Sequence, residues 1–517
     1  MRLFSLLFFA IPILGQKICS YHGGSEIHDI QNLKQDMSVT TNTFGLVDNY
    51  YDSLTPEKFA HLATHYPPSG SDTALLAAYH EFIWGNPETK VNVLFGNGAS
   101  EMIDIIIRNI PAGNWKMNDV DTQYREYNNA CIKTNRKQLA HNDQNANLSI
   151  IINPNNPTGD FLKWSDLQSY IETSVRDNSY LLVDESMLFW YGPDWINHSC
   201  LGHLDYIAKL AFERHIKVIV IQSWTKIFSS TGLRIGSAVV FDDDLYNKVK
   251  ELIPPWSLNA IGRDYILHSW KQTDYLERTW TYTPLWRAQL IQEIKQVFPE
   301  FKTKGADFVS WIWMDTGDNA LASLIVRTSK QIGFPIRHGK QGYERSSHIR
   351  IAVRNPELLG EWFDALRHIK ATYLPIVSTY EAKQRLVLEN RNLPISKIMR
   401  HEQHNVAHAD ALYNYLVGYN ATIQTIVVGA IPNTDKYLLI DGHHRMEAFS
   451  RLGYTQIPTT IIDYFSPLIY TNSISKEEII DYSLRGELLI SKATKHMIDM
   501  GGDNYAPIII LSEYTWI

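Results

Sequence analysis

Three short apolar runs constrain this chain more than any other feature: Ser149-Ile150-Ile151-Ile152, Tyr180-Leu181-Leu182-Val183 and Lys217-Val218-Ile219-Val220-Ile221. Runs of this length, rich in branched residues and without polar alternation, read as strands buried on both faces. Helical-period stretches alternate with them between about residues 70 and 240. That is the rhythm of βαβ units in a mainly parallel sheet with helices on both faces, so the expected class is α/β. Ligands of such sheets sit beyond the carboxyl ends of the strands. Asn156, Asp184 and Ser223 each fall just past one of these runs, which points to one shared site.

The third run leads into Ser223-Trp224-Thr225-Lys226-Ile227-Phe228-Ser229-Ser230-Thr231-Gly232-Leu233-Arg234. A lysine amine condenses with an aldehyde, while a hydroxyl before it and a guanidinium after it hold a phosphate. Pyridoxal phosphate (PLP) carries both groups. Asn156, in Asn153-Pro154-Asn155-Asn156-Pro157-Thr158-Gly159, offers an amide to the phenolic oxygen of that cofactor. Asp184 offers a carboxylate to its ring nitrogen, which keeps the ring an electron sink.

These motifs resemble fold-type I PLP enzymes, the aminotransferase class I/II superfamily, over roughly residues 20 to 370. The resemblance implies that Gly98, Ala99 and Ser100 bind the cofactor phosphate at a helix N-terminus, that Tyr124 stacks on the ring, and that Ser223 and Arg234 complete the phosphate cup. It also implies a homodimer. Aminotransferases of this group usually carry a tyrosine three residues after the ring aspartate, where this chain has Met187. His22-Gly23-Gly24, Asn42, Pro255-Trp256-Ser257-Leu258-Asn259-Ala260 and Arg350-Ile351-Ala352-Val353-Arg354 are closer to threonine-phosphate decarboxylases, relatives of histidinol-phosphate aminotransferases. By that likeness His22, Gly23, Gly24, Asn42, Arg337 and Arg350 bind substrate. Planar guanidinium forks suit both its phosphate and its carboxylate.

A second chemistry is written near the C-terminus. Asp441-Gly442-His443-His444-Arg445 follows the apolar run Tyr437-Leu438-Leu439-Ile440 and opens a helix, an anion-binding arrangement. Residues 390 to 500 resemble the ParB/sulfiredoxin-like superfamily, particularly its free L-serine kinases. Pro394 to Glu402 looks like the strand and loop bearing the catalytic glutamate, and Asp441 to Arg445 like the nucleotide-phosphate turn. The resemblance implies that Glu402 is the general base on the serine hydroxyl. His443, His444 and Arg445 would neutralise the transferring phosphate, assisted by Thr494, Lys495 and His496. Mg²⁺ would accompany ATP or ADP, with Asp441 a contact. Partition proteins of the superfamily bind DNA, but no Lys/Arg-rich recognition helix follows the turn, and a net charge of −7 argues against nucleic acid.

Length is consistent with this division, since 517 residues exceed one core. The expected layout is a leader over 1–16, a PLP domain over 17–371, a connection over 372–390 and a kinase-like domain over 391–517. The leader, Leu3 to Gly15 behind Arg2, has the length of a signal-peptide apolar region and is too short to span a membrane comfortably. It reads equally as an apolar segment packed on the enzyme body. Three scattered cysteines favour a reducing compartment, so cytosol and secretory route both stay open. Joined, the halves suggest a bifunctional enzyme taking serine to O-phosphoserine and on to phosphoethanolamine, with threonine as an alternative substrate. The other reading is an aminotransferase of a phosphorylated amino acid with a regulatory nucleotide- or DNA-binding module.

Overall fold

The computed structural model describes Gly24 and residues 27–28, 30–68, 72–373, 379–418, 422–466, 468–471, 474–490, 494–500 and 505–516. The leader, His22 and Gly23 lie outside the described residues. The chain divides into two compact units, one of residues 1–315 and 328–367, the other of 316–327 and 368–517.

The first unit is built on a six-stranded sheet of β1 (Val93–Asn97), β2 (Trp115–Met117), β3 (Leu148–Ile152), β4 (Tyr180–Asp184), β5 (Lys217–Ser223) and β6 (Ile235–Val240), in the order β1-β6-β5-β4-β3-β2. Strands β2 to β5 pair in parallel, and β6 runs antiparallel to both its neighbours. The period of two explains the apolar runs. Leu181, Val183, Val218 and Val220 pack into the core on one side. Leu182, Ile219 and Ile221 pack into the core on the other. Leu181 to Val183 and Val218 to Ile221 are therefore all inside positions, buried on one face or the other. A second sheet, of β7 (Lys302–Lys304), β8 (Trp311–Asp315), β9 (Arg337–His338) and β10 (His348–Ala352), has the order β7-β8-β10-β9.

The second unit carries a five-stranded sheet ordered Val387–Pro394, Gln456–Ile462, Ile426–Ala430, Tyr437–Asp441, Ile398–Met399. It alternates in the same way: Leu438 and Ile440 enter one cluster, Leu439 the other. The stretch expected as a connection, 372–390, contains the helix Thr379–Leu386 and the start of the strand Val387–Pro394. Its Leu386 is fully buried in the core of the second unit. Apolar residues at helical spacing, Ala382 and Leu386, decide the packing.

Candidate active site

In the first unit, the ends of β1, β4 and β5 converge on one cavity of about 480 Å³. Ala99, Ser100, Tyr124, Asn156, Asp184, Ser223, Lys226 and Arg234 all line it, as do the substrate candidates Gly24, Arg337 and Arg350.

Gly98 links β1 to the helix Ala99–Asn109 at φ 84°, a left-handed conformation that a side chain disfavours. A Cβ there would also run into the Arg234 guanidinium. The glycine thus lets a cation close over a helix N-terminus, where free N–H groups already favour an anion. Across the sheet, a Cβ on Gly236 would collide with the backbone of Ala99. Ser223 ends β5, and its hydroxyl is 3.0 Å from that of Thr225.

Lys226 follows in the short helix Trp224–Ile227. Burial, with Arg350 and then Arg234 repelling a further positive charge, brings its pKa from 10.5 down to about 8. A substantial neutral fraction, the nucleophilic form, is therefore present near neutral pH. Asp184 accepts hydrogen bonds from the Tyr127 hydroxyl at 2.6 Å and the Ser186 N–H at 2.8 Å. Burial raises its pKa, and both of these donors are neutral. A cationic ring N–H in the cavity would complete this carboxylate. Burial pushes Tyr124 up to about 12, so it presents a neutral ring face. A lysine, a buried carboxylate and a cation-capped helix end around one cavity fit PLP.

The substrate side is formed by the second sheet. Arg337 and Arg350 are direct cross-strand partners and both are buried. Arg350 donates to Asn156 Oδ1 at 2.7 Å and to the Ser38 carbonyl at 2.8 Å. Asn42 does not join them as expected. Its amide donates to Thr279 Oγ1 at 2.6 Å and to the Ile227 carbonyl at 3.1 Å, and its N–H bonds the Lys226 carbonyl at 3.0 Å. It braces the lysine turn from behind, because a buried amide is satisfied by the nearest backbone. Sequence reading missed Tyr127 and Tyr343. The former lies three residues after Tyr124, in the first turn of the helix Arg125–Lys133.

The second unit assembles a different kind of site. Glu402 is buried, and its Oε1 accepts the Thr494 N–H at 2.5 Å and the Thr494 hydroxyl. That hydroxyl is also 2.8 Å from His401 Nε2. Reciprocal backbone bonds at 2.8 Å between Leu489 and residues 401 and 403 pin the glutamate's loop. The rings of His443 and His496 stand 5.2 and 5.4 Å from that of His401. Gly442, at φ 103°, caps the helix His443–Arg451.

Two expectations change here. His443 is driven well below its ordinary pKa, first by burial and then by the neighbouring His401 and Arg400, and burial takes His496 to about 3. Both are neutral imidazoles at physiological pH, and His496 Nε2 lies 3.0 Å from the Tyr464 hydroxyl. Asp441 is ion-paired with Arg445, one helical turn on, and Arg445 also donates to the Gln424 carbonyl at 3.1 Å. Its carboxylate is thereby engaged at the position expected to contact Mg²⁺. His444 Nε2 accepts the Asn405 N–H at 3.0 Å, and Lys495 is exposed. Among the described residues there is no cluster of three metal-ligating side chains, and no helix is long and apolar enough to cross a membrane.

Known proteins resemble parts of the chain. A histidinol-phosphate aminotransferase of Nitratidesulfovibrio vulgaris is 24% identical over 363 residues, which cover 66% of this chain and 91% of that protein. The L-threonine-O-3-phosphate decarboxylase structure from Porphyromonas gingivalis superposes with a TM-score of 0.51 at 16% identity, over 65% of this chain and 99% of that one. An ATP-dependent L-serine kinase of Desulfurococcus mucosus is 46% identical over 74 residues, only 14% of this chain and 29% of the kinase. The sequence model of aminotransferase class I and II matches residues 55–361, more than half of the chain. The chain is a PLP-dependent enzyme of the aminotransferase class I and II family.

Proposed function

We propose that the chain phosphorylates free L-serine and decarboxylates the resulting O-phosphoserine to phosphoethanolamine, working as a homodimer with PLP in its first unit and ATP or ADP with Mg²⁺ in its second. The observation that carries this reading is the Arg337–Arg350 cross-strand pair in the cavity of Lys226. Like charges directly opposite in a sheet are destabilising. A ligand with two anionic groups offsets that repulsion, and a phosphoamino acid has a phosphate and a carboxylate.

PLP, when bound, withdraws electrons from the bond broken at the substrate's Cα. The two guanidinium forks would select which bond that is, by fixing the substrate's phosphate and carboxylate. The apolar Met187 side chain lines the same cavity in place of a proton-donating tyrosine. After CO₂ departs, Lys226 Nζ, with a pKa of about 8, returns a proton to Cα. In the second unit Glu402 takes the serine hydroxyl proton as the new O–P bond forms and the nucleotide leaves. Support for that half comes from the short serine-kinase match and from the geometry that fixes Glu402 through Thr494.

The second reading, transamination of a phosphorylated amino acid, is favoured by the aminotransferase match spanning 91% of its relative. O-phosphoserine added to the holoenzyme separates the two. Release of CO₂ without any 2-oxo acid supports decarboxylation, whereas turnover that requires a 2-oxo acid and releases no CO₂ supports transamination.

A further inference from the structure

Tyr343 lies in the loop joining β9 to β10 and lines the cavity with Lys226. Its hydroxyl is 3.2 Å from Asn156 Oδ1 and 3.0 Å from Arg350 Nη1, while Arg350 Nη1 is 2.7 Å from Asn156 Oδ1. These three contacts close a ring whose hydrogen directions can be worked out. Arginine has no acceptor, so the Asn156 atom facing it is the carbonyl oxygen. One Nη1 hydrogen then points to Asn156 and the other to the tyrosine oxygen. The tyrosine hydrogen completes the ring by pointing to Asn156 Oδ1. In a planar amide the two N–H bonds consequently face away from Arg350.

The phenol is itself held firmly. Gly342, with φ 87°, turns the chain just before it. The Gly342 carbonyl accepts from Arg125 Nε at 2.7 Å, and Arg345 pairs with Asp121 at 2.7 Å. The tyrosine ring meets Trp313 edge-on at 5.6 Å, with the guanidinium carbons of Arg337 and Arg350 at 5.7 and 6.0 Å from its centroid. Met187, at the position three after Asp184, has a thioether that donates nothing.

We infer that Tyr343 is a positioning residue, which with Arg350 locks the Asn156 amide so that its N–H groups serve the cofactor's phenolic oxygen. The inference rests on the PLP assignment. It gives Tyr343 a role that acts through Asn156 and that the packing of the ring alone does not provide. Donors aimed at that oxygen stabilise its ionised form. Loosening them lets the oxygen hold its shared proton to higher pH.

The test is a pH titration of the visible absorbance band of the lysine-bound cofactor in the holoenzyme. Tyr343→Phe keeps the ring and removes the hydroxyl. Its titration midpoint is expected to rise by about half a pH unit or more, the scale of one hydrogen bond. Arg350→Lys, which loses the fork but keeps the charge, shifts the midpoint in the same direction. Asn156→Ala shifts it too, and Tyr343→Phe in that background adds nothing. An unshifted midpoint in Tyr343→Phe overturns the inference, as does an equal shift whether or not Asn156 is present. An Asn156→Ala protein that titrates like wild type also overturns it. A wild-type protein with no lysine-dependent band overturns both this inference and the cofactor assignment.

Discussion

The Lys226 site and the Glu402 site solve opposite electrostatic problems. Around Lys226, guanidiniums from Arg234, Arg337 and Arg350 share a cavity with one buried carboxylate, Asp184. Charge is concentrated there and awaits an anionic ligand and a ring cation. Around Glu402, the buried ring groups His401, His443 and His496 all have lowered pKa values, and the carboxylate is satisfied by a hydroxyl and a backbone N–H. The first site is poised by cations, the second by neutral donors. A substrate with fixed negative charges suits the former. A base that must accept a proton suits the latter, where the Thr494 hydroxyl and N–H fix the carboxylate in place.

Mutation of the reacting groups should widen this contrast most. Lys226→Ala is expected to abolish the lysine-dependent visible band and to lower cofactor-dependent turnover roughly 10³-fold or more, leaving serine phosphorylation intact. Glu402→Gln should do the reverse, with phosphoserine formation falling roughly 10²- to 10⁴-fold by mass spectrometry while turnover of added O-phosphoserine persists. Arg350→Lys should raise KM for O-phosphoserine about 10- to 100-fold, the cost of a lost charged fork, with the cofactor still bound.

The pH behaviour sharpens the comparison with smaller effects. Recombination of the apoenzyme with PLP requires a neutral Lys226, so its rate should rise with pH through a midpoint near 8 and not near 10.5. Arg350→Ala removes a repelling charge and should move that midpoint upward. Stability is expected to diverge between the units in mild acid. His443 and His496 have folded pKa values below the ordinary 6.5, so as pH falls the unfolded chain binds protons that the folded second unit refuses. Their contribution is complete above about 6.5 and is lost on acidification. In the first unit Glu185, with its pKa raised by burial from 4.5 to about 7, takes up a proton on folding, and its contribution grows as pH falls from 7 to 4.5. His338, lowered to about 4, opposes it there. Hydrogen-exchange protection, corrected for the slower intrinsic exchange at low pH, should therefore fall between pH 7 and pH 5 at Leu438–Ile440 more than at Leu181–Val183. An equal fall in protection would remove the contrast.

The Lys226 site was largely legible in the sequence because its demands are made on residue type at fixed places. Buried parallel strands favour apolar runs, and the residues at or just past the ends of those runs, Asn156, Asp184 and Ser223, line the cavity. Gly98 is similarly forced by the approach of Arg234. Asn42 was expected to bind substrate through the family resemblance, and only the fold shows its amide donating to Ile227 and Thr279. Tyr343 was illegible for the opposite reason: its loop lies far along the chain from Asn156 and carries no spacing signal. The Glu402 site was legible as motifs, but the neutrality of His443 and His496 is a consequence of burial, which no local pattern records. The stretch 372–390 was expected to be a connection, while Leu386 anchors it in a core.

Carboxyl-labelled L-serine tests the central claim, that serine phosphorylation and phosphoserine decarboxylation reside on one chain. Incubated with the PLP-loaded protein, nucleotide and Mg²⁺, it should release labelled CO₂ and leave phosphoethanolamine, with release dependent on the nucleotide and lost in both Glu402→Gln and Lys226→Ala. Label retained in a 2-oxo acid, or CO₂ released without nucleotide, would contradict it.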